Sequence, residues 1–246
     1  MMADYQQILE GLLRHKATYG HEVLTPAKCP EALQLIHNNS FAFISACCLD
    51  RGTKTEIIWT IPYWLSQQVG HYDPKQFYPM SLERISFLFD GLPQKPRYTK
   101  AAPRTFQEIC RIVVEDFSGK AENIWKNRCA MDVKRTLLSV YGVGNGIANM
   151  TLILIESVYD ITFSDIDYTK MDIKPDVHTM RVLYRLGVSS SINTDSAILA
   201  ARLISPSYPG AIDGPLWSVG RNWCHPASAD CGSCPLDTCC EKVGVK

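Results

Sequence analysis

The chain has 246 residues, 46% of them apolar and 20% charged, an ordinary globular composition that excludes a disordered or low-complexity protein. Lysine plus arginine equals aspartate plus glutamate at 25 each, so global charge lends no support to nucleic-acid binding. The longest apolar run, MTLILI, is too short to span a bilayer and MMADYQQILEGLL lacks the pattern of a secretory signal, so an intracellular protein with no membrane partner is expected.

Helical periodicity begins with Ile8, Leu9, Leu12 and Leu13, continues through Phe41, Phe43, Ile44 and Leu49, and then through Ile57, Ile58, Ile61 and Leu65. It resumes at Leu82, Ile85, Leu88 and Phe89, at Phe106, Ile109, Ile112 and Val113, at Leu137 and Leu138, and from Leu152 to Ile155. Alternation of period two is rare, and the expected fold is all-α. Pro30, Pro93, Pro96, Pro103 and Pro175 fall between the runs as helix boundaries, whereas Pro62 sits inside one and should kink or shorten it. The segment YDITFSDIDYTKMDIKP, 159–175, has neither periodicity and reads as a long ordered loop or a crossing between two domains.

Charge is uneven along the chain. Between Lys95 and Gly146 ten basic residues face five acidic ones, a net of +5 that suits a phosphate-facing surface and equally a solvated helical face. That stretch ends in YGVGNGIANM, three glycines within six residues between a basic helix, DVKRTLLSV, and an apolar one. Gly142 and Gly144 are able to adopt positive φ, which lets the backbone turn sharply and aim successive N–H groups outward at a helix start. Such a turn holds a phosphate, directly or through a cation, or is simply a corner between helices.

In KPDVHTMRVLYRLG, Asp176 follows a proline and precedes a regular helix, the place of an N-cap. A carboxylate among helix N–H groups stays ionised at neutral pH, ready to stabilise a developing cation or orient a water. His178 and Arg181 read as packing, surface or phosphate-contacting residues. Further on, NWCHPASADCGSCPLDTCC spaces Cys224, Cys231, Cys234 and Cys240 within seventeen residues, separated by Pro and Gly turns. Four thiolates so placed form a metal or cluster loop, with iron–sulfur, zinc and disulfides as the chemical options. The other six cysteines, at 29, 47, 48, 110, 129 and 239, are expected to be buried small hydrophobes.

Taken in this order, the three features resemble the helix-hairpin-helix DNA glycosylase superfamily, in its endonuclease III and adenine-glycosylase-like branch with a [4Fe-4S] cluster loop. VYGVGNGIAN stands where that family has a Leu-Pro-Gly-Val-Gly-like turn, PDVHTMRVLYRLG is similar to its Val-Asp-Thr-His-containing helix start, and LWSVGRNWC leads into four cysteines at the family's spacing. The specific motifs cover roughly the last 120 residues, and the first 130 fit as a generic helical barrel. The resemblance implies a six-helix barrel over residues 28–172, with the hairpin at about 133–157, and a discontinuous cluster domain of 1–27 plus 173–246. Double-stranded DNA carrying a damaged or mispaired base would cross a cleft between them, and the protein would act as a monomer, cytoplasmic and nucleoid-associated if its source is prokaryotic. Gly142, Val143, Gly144, Asn145 and Gly146 would hold the DNA backbone. Asp176 matches the catalytic aspartate, which stabilises the oxocarbenium-like sugar and positions the attacking nucleophile. Cys224, Cys231, Cys234 and Cys240 would hold the [4Fe-4S] cluster.

Three departures from the family pattern stand out. Where bifunctional members carry a Schiff-base lysine just after the hairpin, this chain has Gly146, so a water is the expected nucleophile and the enzyme should be a monofunctional DNA glycosylase. The alternatives are a bifunctional glycosylase/AP lyase using a displaced lysine, with Lys174 the first suspect, and a non-catalytic iron–sulfur protein that recognises distorted DNA. The interval from Gly146 to Asp176 is longer than usual, and its Asp165, Asp167 and Tyr168 are candidates to line or cover the base pocket. In ACCLDRGTKTEIIW, Asp50 and Arg51 occupy the region where relatives often carry glutamines that fill the gap in the duplex.

Overall fold

The computed structural model describes residues 4–18 and 25–245. Among them no strand forms, and the only bridge pairs Cys224 with Ala229 inside the cysteine loop. The helices are α1 (Tyr5–Lys16), α2 (Pro30–Asn38), α3 (Ser40–Leu49), α4 (Thr55–Ile58), α5 (Ile61–Val69), α6 (Pro74–Phe77), α7 (Leu82–Asp90) and α8 (Ala101–Phe117). After a 3₁₀ turn come α9 (Ala130–Ser139), α10 (Asn145–Tyr159), α11 (Val177–Arg185), α12 (Thr194–Ile204) and α13 (Asp213–Asn222). The all-α expectation holds. No helix among the described residues is long and apolar enough to cross a membrane.

The chain divides into two compact units, Leu24–Ile166 and Met1–Val23 with Asp167–Lys246. The change of unit falls inside the irregular 159–175 segment. In the first unit α3 is the pivot: every residue from Phe41 to Leu49 is buried. A helix apolar on all sides has no solvent face, and α2, α8 and α10 pack around it. Phe41 meets Tyr72 at 5.3 Å and Phe106 at 5.7 Å between ring centres, and Phe77 stands edge-on to Phe106 at 5.0 Å. A second aromatic group joins Phe43, Trp59, Trp125 and Tyr159.

Two proline expectations are refined. Pro62 does not kink a helix: α4 stops at Ile58, and α5 starts at Ile61 with Pro62 in its first turn, where no N–H is needed. Pro103 likewise lies within the first turn of α8 rather than between helices. The cysteine expectation holds for Cys47, Cys48 and Cys110, which are buried, but Cys129 is exposed and Cys29 and Cys239 are half-buried. Cys129 precedes α9, whose end reaches solvent.

The second unit packs α1 against α12 and α13. Ile8 and Leu12 of α1 are fully buried in one core with Val182, Leu183, Leu216 and Val219. Gly11 faces the cysteine segment: a methyl group there would stand 3.0 Å from Leu236 Cδ2, so α1 lies close against it. His15 is buried at the end of α1, with Nε2 2.9 Å from Ser218 Oγ and its ring edge-on to Trp223 at 5.3 Å.

Burial holds the His15 pKa below its ordinary 6.5. The unfolded chain therefore binds a proton that the folded one resists, and stability declines as pH falls below 6.5 toward the depressed folded value. Urea unfolding at pH 7 and pH 5 should show a larger loss for the native chain than for His15→Gln. Equal losses would refute this origin.

Candidate nucleic-acid turn and cysteine centre

Within the first unit, α9 ends at Ser139 and α10 starts at Asn145, with the glycine turn between them. Gly142 has φ +81°, the left-handed region that glycine enters without strain. Gly144 does not share it: with φ −107° and ψ −179° it is extended and serves as the N-cap of α10. A glycine N-cap has no side chain to offer, and no side chain caps this helix end. The first N–H groups of a 15-residue helix, at Asn145, Gly146 and Ile147, thus lack the usual acceptor. A side chain at 144 would meet nothing within 4 Å, so the approach to that end is open. Val143, by contrast, is buried and anchors the turn.

Neighbouring groups are basic. Arg104 lies over the half-exposed ring of Tyr141 at 3.9 Å. Arg97, Lys100 and Arg104 make no ion pair among the described residues, whereas Arg111 is held by Glu108 and Glu115, and Arg135 by Asp132. Part of the +5 excess is therefore neutralised locally, and the part on 97–104 is not.

The long loop and the 50–51 pair have other work than expected. Asp165 accepts from the N–H groups of Ala130 at 2.8 Å and Met131 at 3.3 Å, capping α9 from 35 residues away. Those backbone bonds hold its pKa below the usual carboxylate range. Asp167 accepts from Thr169 and pairs with Lys170, and Tyr168 stacks on Tyr208 at 4.5 Å. Asp50 is buried and accepts from Trp59 Nε1 at 3.2 Å. Arg51 donates to the Gly142 carbonyl and, at 2.7 Å, to Thr105 Oγ1. Each of these side chains is thus engaged in contacts within the protein.

In the second unit Asp176 is the N-cap of α11. Its Oδ1 accepts from the N–H groups of His178 and Thr179, both at 2.8 Å, while Thr179 Oγ1 accepts from the Asp176 N–H at 2.9 Å, a reciprocal capping box. Both bonds converge on Oδ1, and among the described residues no hydrogen bond reaches Oδ2. The half-buried carboxylate is thus fixed in orientation with one oxygen left to act. Just upstream, the Lys174 N–H is held by Asp213 Oδ1 at 2.9 Å, which fixes the chain entering the cap.

Two arginines of α11 tie it to the cysteine loop. Arg181, buried, donates through Nε to the Cys224 carbonyl at 2.6 Å and through its Nη atoms to the Gly220 and Val177 carbonyls at 2.7 and 2.8 Å. Arg185 donates to the His225 carbonyl at 2.7 Å, to the Pro226 carbonyl at 3.0 Å and to Cys224 Sγ at 3.3 Å. Their partners in the cysteine loop lie about 40 residues downstream and carry no local signal.

Cys224, Cys231, Cys234 and Cys240 line a single part-open hollow of about 370 Å³, counting its mouth, against Arg185 and Val219. Burial, and then the three neighbouring thiols, push Cys234 up to about 11, against the lowering effect of the Leu236 N–H. Burial also raises Cys240. Sulfurs that resist ionising as free thiols need a cationic centre to become thiolates together. Among the described residues no three His, Cys, Asp or Glu donors converge as a single metal ion requires. Zinc would draw four sulfurs to about 2.3 Å of one point. Four cysteines lining one hollow make a donor set that suits a thiolate-bound centre, with the Arg185 guanidinium and the Leu236 N–H, 3.5 Å from Cys234 Sγ, as donors to sulfur.

No protein-family model matches the chain, and no curated protein sequence matches it. Solved structures do share its fold. Endonuclease III is similar both in a trapped covalent intermediate with DNA, an estranged-adenine complex, and in a non-covalent DNA complex: in each case the TM-score is 0.63 at 20% identity, over 98% of this chain and 97% of that one. A thermostable thymine-DNA glycosylase gives a TM-score of 0.61 at 13% identity, over 97% of this chain and 95% of that one. The chain has the all-α fold of endonuclease III over nearly its whole length.

Helices α11 and α13 cross at Gly220, where a Cβ would stand 2.7 Å from His178 Cβ and 3.0 Å from the His178 backbone. Gly220→Ala should therefore separate the helix that carries Asp176 from its support and cost about 1–3 kcal/mol in denaturant unfolding. An unchanged midpoint would show that the crossing tolerates a methyl group.

Proposed function

We propose that the protein is a base-excision DNA glycosylase, monofunctional, which hydrolyses the N-glycosidic bond of a damaged or mispaired base flipped out of duplex DNA. The observation that carries this reading is the cap of α11: a carboxylate locked through Oδ1 by two backbone N–H groups, with Oδ2 open. Its fold is that of proteins caught on DNA, and the turn before α10 offers uncapped N–H groups for a phosphate.

In the proposed reaction the flipped nucleotide enters at a stacking cost of a few kcal/mol, lowest for a mispaired or damaged base. As the C1′–N bond breaks, the bonding pair leaves with the base and positive charge develops on the sugar. Asp176 Oδ2 stabilises that charge and orients a water, which attacks C1′ and gives up a proton, while the base is released protonated. Endonuclease III forms a trapped covalent DNA intermediate. Here Gly146, in the first turn of α10, has no amine to form one. A bifunctional variant of this reading needs another lysine, and Lys174 is the nearest in sequence to Asp176.

We assign the four cysteines to a [4Fe-4S] cluster, which when bound cross-links residues 224–240 into one rigid loop and adds no redox step to base excision. The alternative of a non-catalytic iron–sulfur DNA-binding protein leaves the open oxygen of Asp176 without a use.

The test is single-turnover base release from duplexes bearing alkylated purines, uracil, mismatched thymine or oxidised pyrimidines. Asparagine also caps helices, so Asp176→Asn should keep the fold and DNA binding but slow release by about 10²- to 10³-fold. Full activity in that variant would sink the assignment, and a borohydride-trapped adduct would overturn the water mechanism. Separately, protein purified without oxygen should be yellow-brown with about four irons per chain, and Cys234→Ser should lose them. A colourless, zinc-containing preparation would refute the cluster.

A further inference from the structure

We propose that Arg51 is the positioning residue of the hairpin, a guanidinium that sets the direction of the turn's peptide groups and so its fit to a DNA phosphate. The inference rests on the reading that this turn holds DNA, and goes beyond it by assigning the geometry to a residue 91 positions upstream.

Arg51 stands in the loop that follows α3, where the chain reverses at Gly52, φ +66°, with the ring of Tyr98 packed on that glycine. One Nη donates to the Gly142 carbonyl. The other donates to Thr105 Oγ1 at 2.7 Å, and that hydroxyl lies 2.8 Å from the Tyr141 carbonyl and 3.0 Å from the Ala101 carbonyl of its own helix. Thr105 is fully buried, so its one proton is shared between those two acceptors. Arg51 thus holds two successive turn carbonyls, Gly142 directly and Tyr141 through Thr105.

That hold has a directional consequence. All peptide bonds among the described residues are trans, so each C=O and the following N–H point in opposite directions. Fixing the Tyr141 carbonyl at Thr105 aims the Gly142 N–H away from α8. Fixing the Gly142 carbonyl aims the Val143 N–H into Val140 O, at 3.1 Å, the bond that closes the turn. Gly142 is then required twice, for its φ of +81° and because the guanidinium fills the space a side chain would need. No carboxylate pairs with Arg51 among the described residues, so its charge stays behind the turn and favours an anion in front of it.

The experiment compares the native chain with Arg51→Ala, Arg51→Lys and Thr105→Val. Amide hydrogen exchange in the free protein reads the turn itself, and duplex binding across a salt series reads its use. Arg51→Ala should lose protection at Val143 and Ala148 while the amides of α8 keep theirs, and should weaken duplex binding about tenfold. The slope of log K on log salt should stay the same, because no phosphate contact is removed. Arg51→Lys, with one ammonium for two acceptors, should restore part of both, and Thr105→Val should show a smaller version of the same defect.

Unchanged exchange at Val143 in Arg51→Ala would overturn the proposal. So would a slope reduced by about 0.9, which would make Arg51 a phosphate contact itself. A native chain that releases no base from any lesion would sink the glycosylase reading while leaving the exchange result to stand or fall alone.

Discussion

Two buried guanidiniums hold the second unit together. Arg181 and Arg185 lie one turn apart on α11, both less than a tenth exposed, and among the described residues neither meets a carboxylate at salt-bridge distance. Burial and the neighbouring Arg185 push the Arg181 pKa down, and the nearby Cys224 and Asp176 push it up. A guanidinium stays charged under these conditions, so its N–H donors must be met by carbonyls or the fold fails. The carbonyls of residues 177, 220, 224, 225 and 226 supply that need. A loop rich in Pro, Gly and Cys, with few bonds of its own, is thereby shaped by a helix whose first residue is preceded by Asp176. The carboxylate at one end of α11 and the thiols at the other share one rigid rod.

The first unit solves a different problem. Its central helix is apolar on every side, so the elements around it carry all the polar detail, including the turn between α9 and α10. That turn is held from outside by side chains that reach across the unit, Arg51 and Thr105 at its bend and Asp165 at the start of α9. Glycine at 144 and 146 leaves Asn145 as the only exposed side chain between Val143 and Ile147 at the helix end, at a cost in helix propensity of about 1 kcal/mol for a glycine in the helix. An end meant only to be stable would carry Ser, Asp or Asn at the cap.

Local rules were readable in the letters. Asp176 before an amphipathic run is a cap by grammar, and the four cysteines share a hollow because seventeen residues with Pro and Gly turns fold back on themselves. The all-α class followed from periodicity in the same way. What escaped depends on contacts far apart in sequence. Asp165 caps α9 at Ala130 from 35 residues downstream, and Arg51 is bound to residues 54 and 91 positions away, contacts that no local pattern announces. Gly144 looked interchangeable with Gly142, yet only one of them needs positive φ, because composition shows freedom and not its use. Pro62 shortens rather than kinks: the apolar pattern runs on across a break between two short helices, and the proline sits in the first turn of the second.

The discontinuity of the second unit sets an order of events during synthesis. Ile8 and Leu12 leave the ribosome more than 150 residues before their packing partners, from Ile173 to Leu236. The intervening unit has all its residues once Asp165 and Ile166 have emerged, while α1 still lacks its partners. For the whole of that interval α1 is an amphipathic segment without its native partners, its apolar stripe open to a chaperone or a misplaced neighbour.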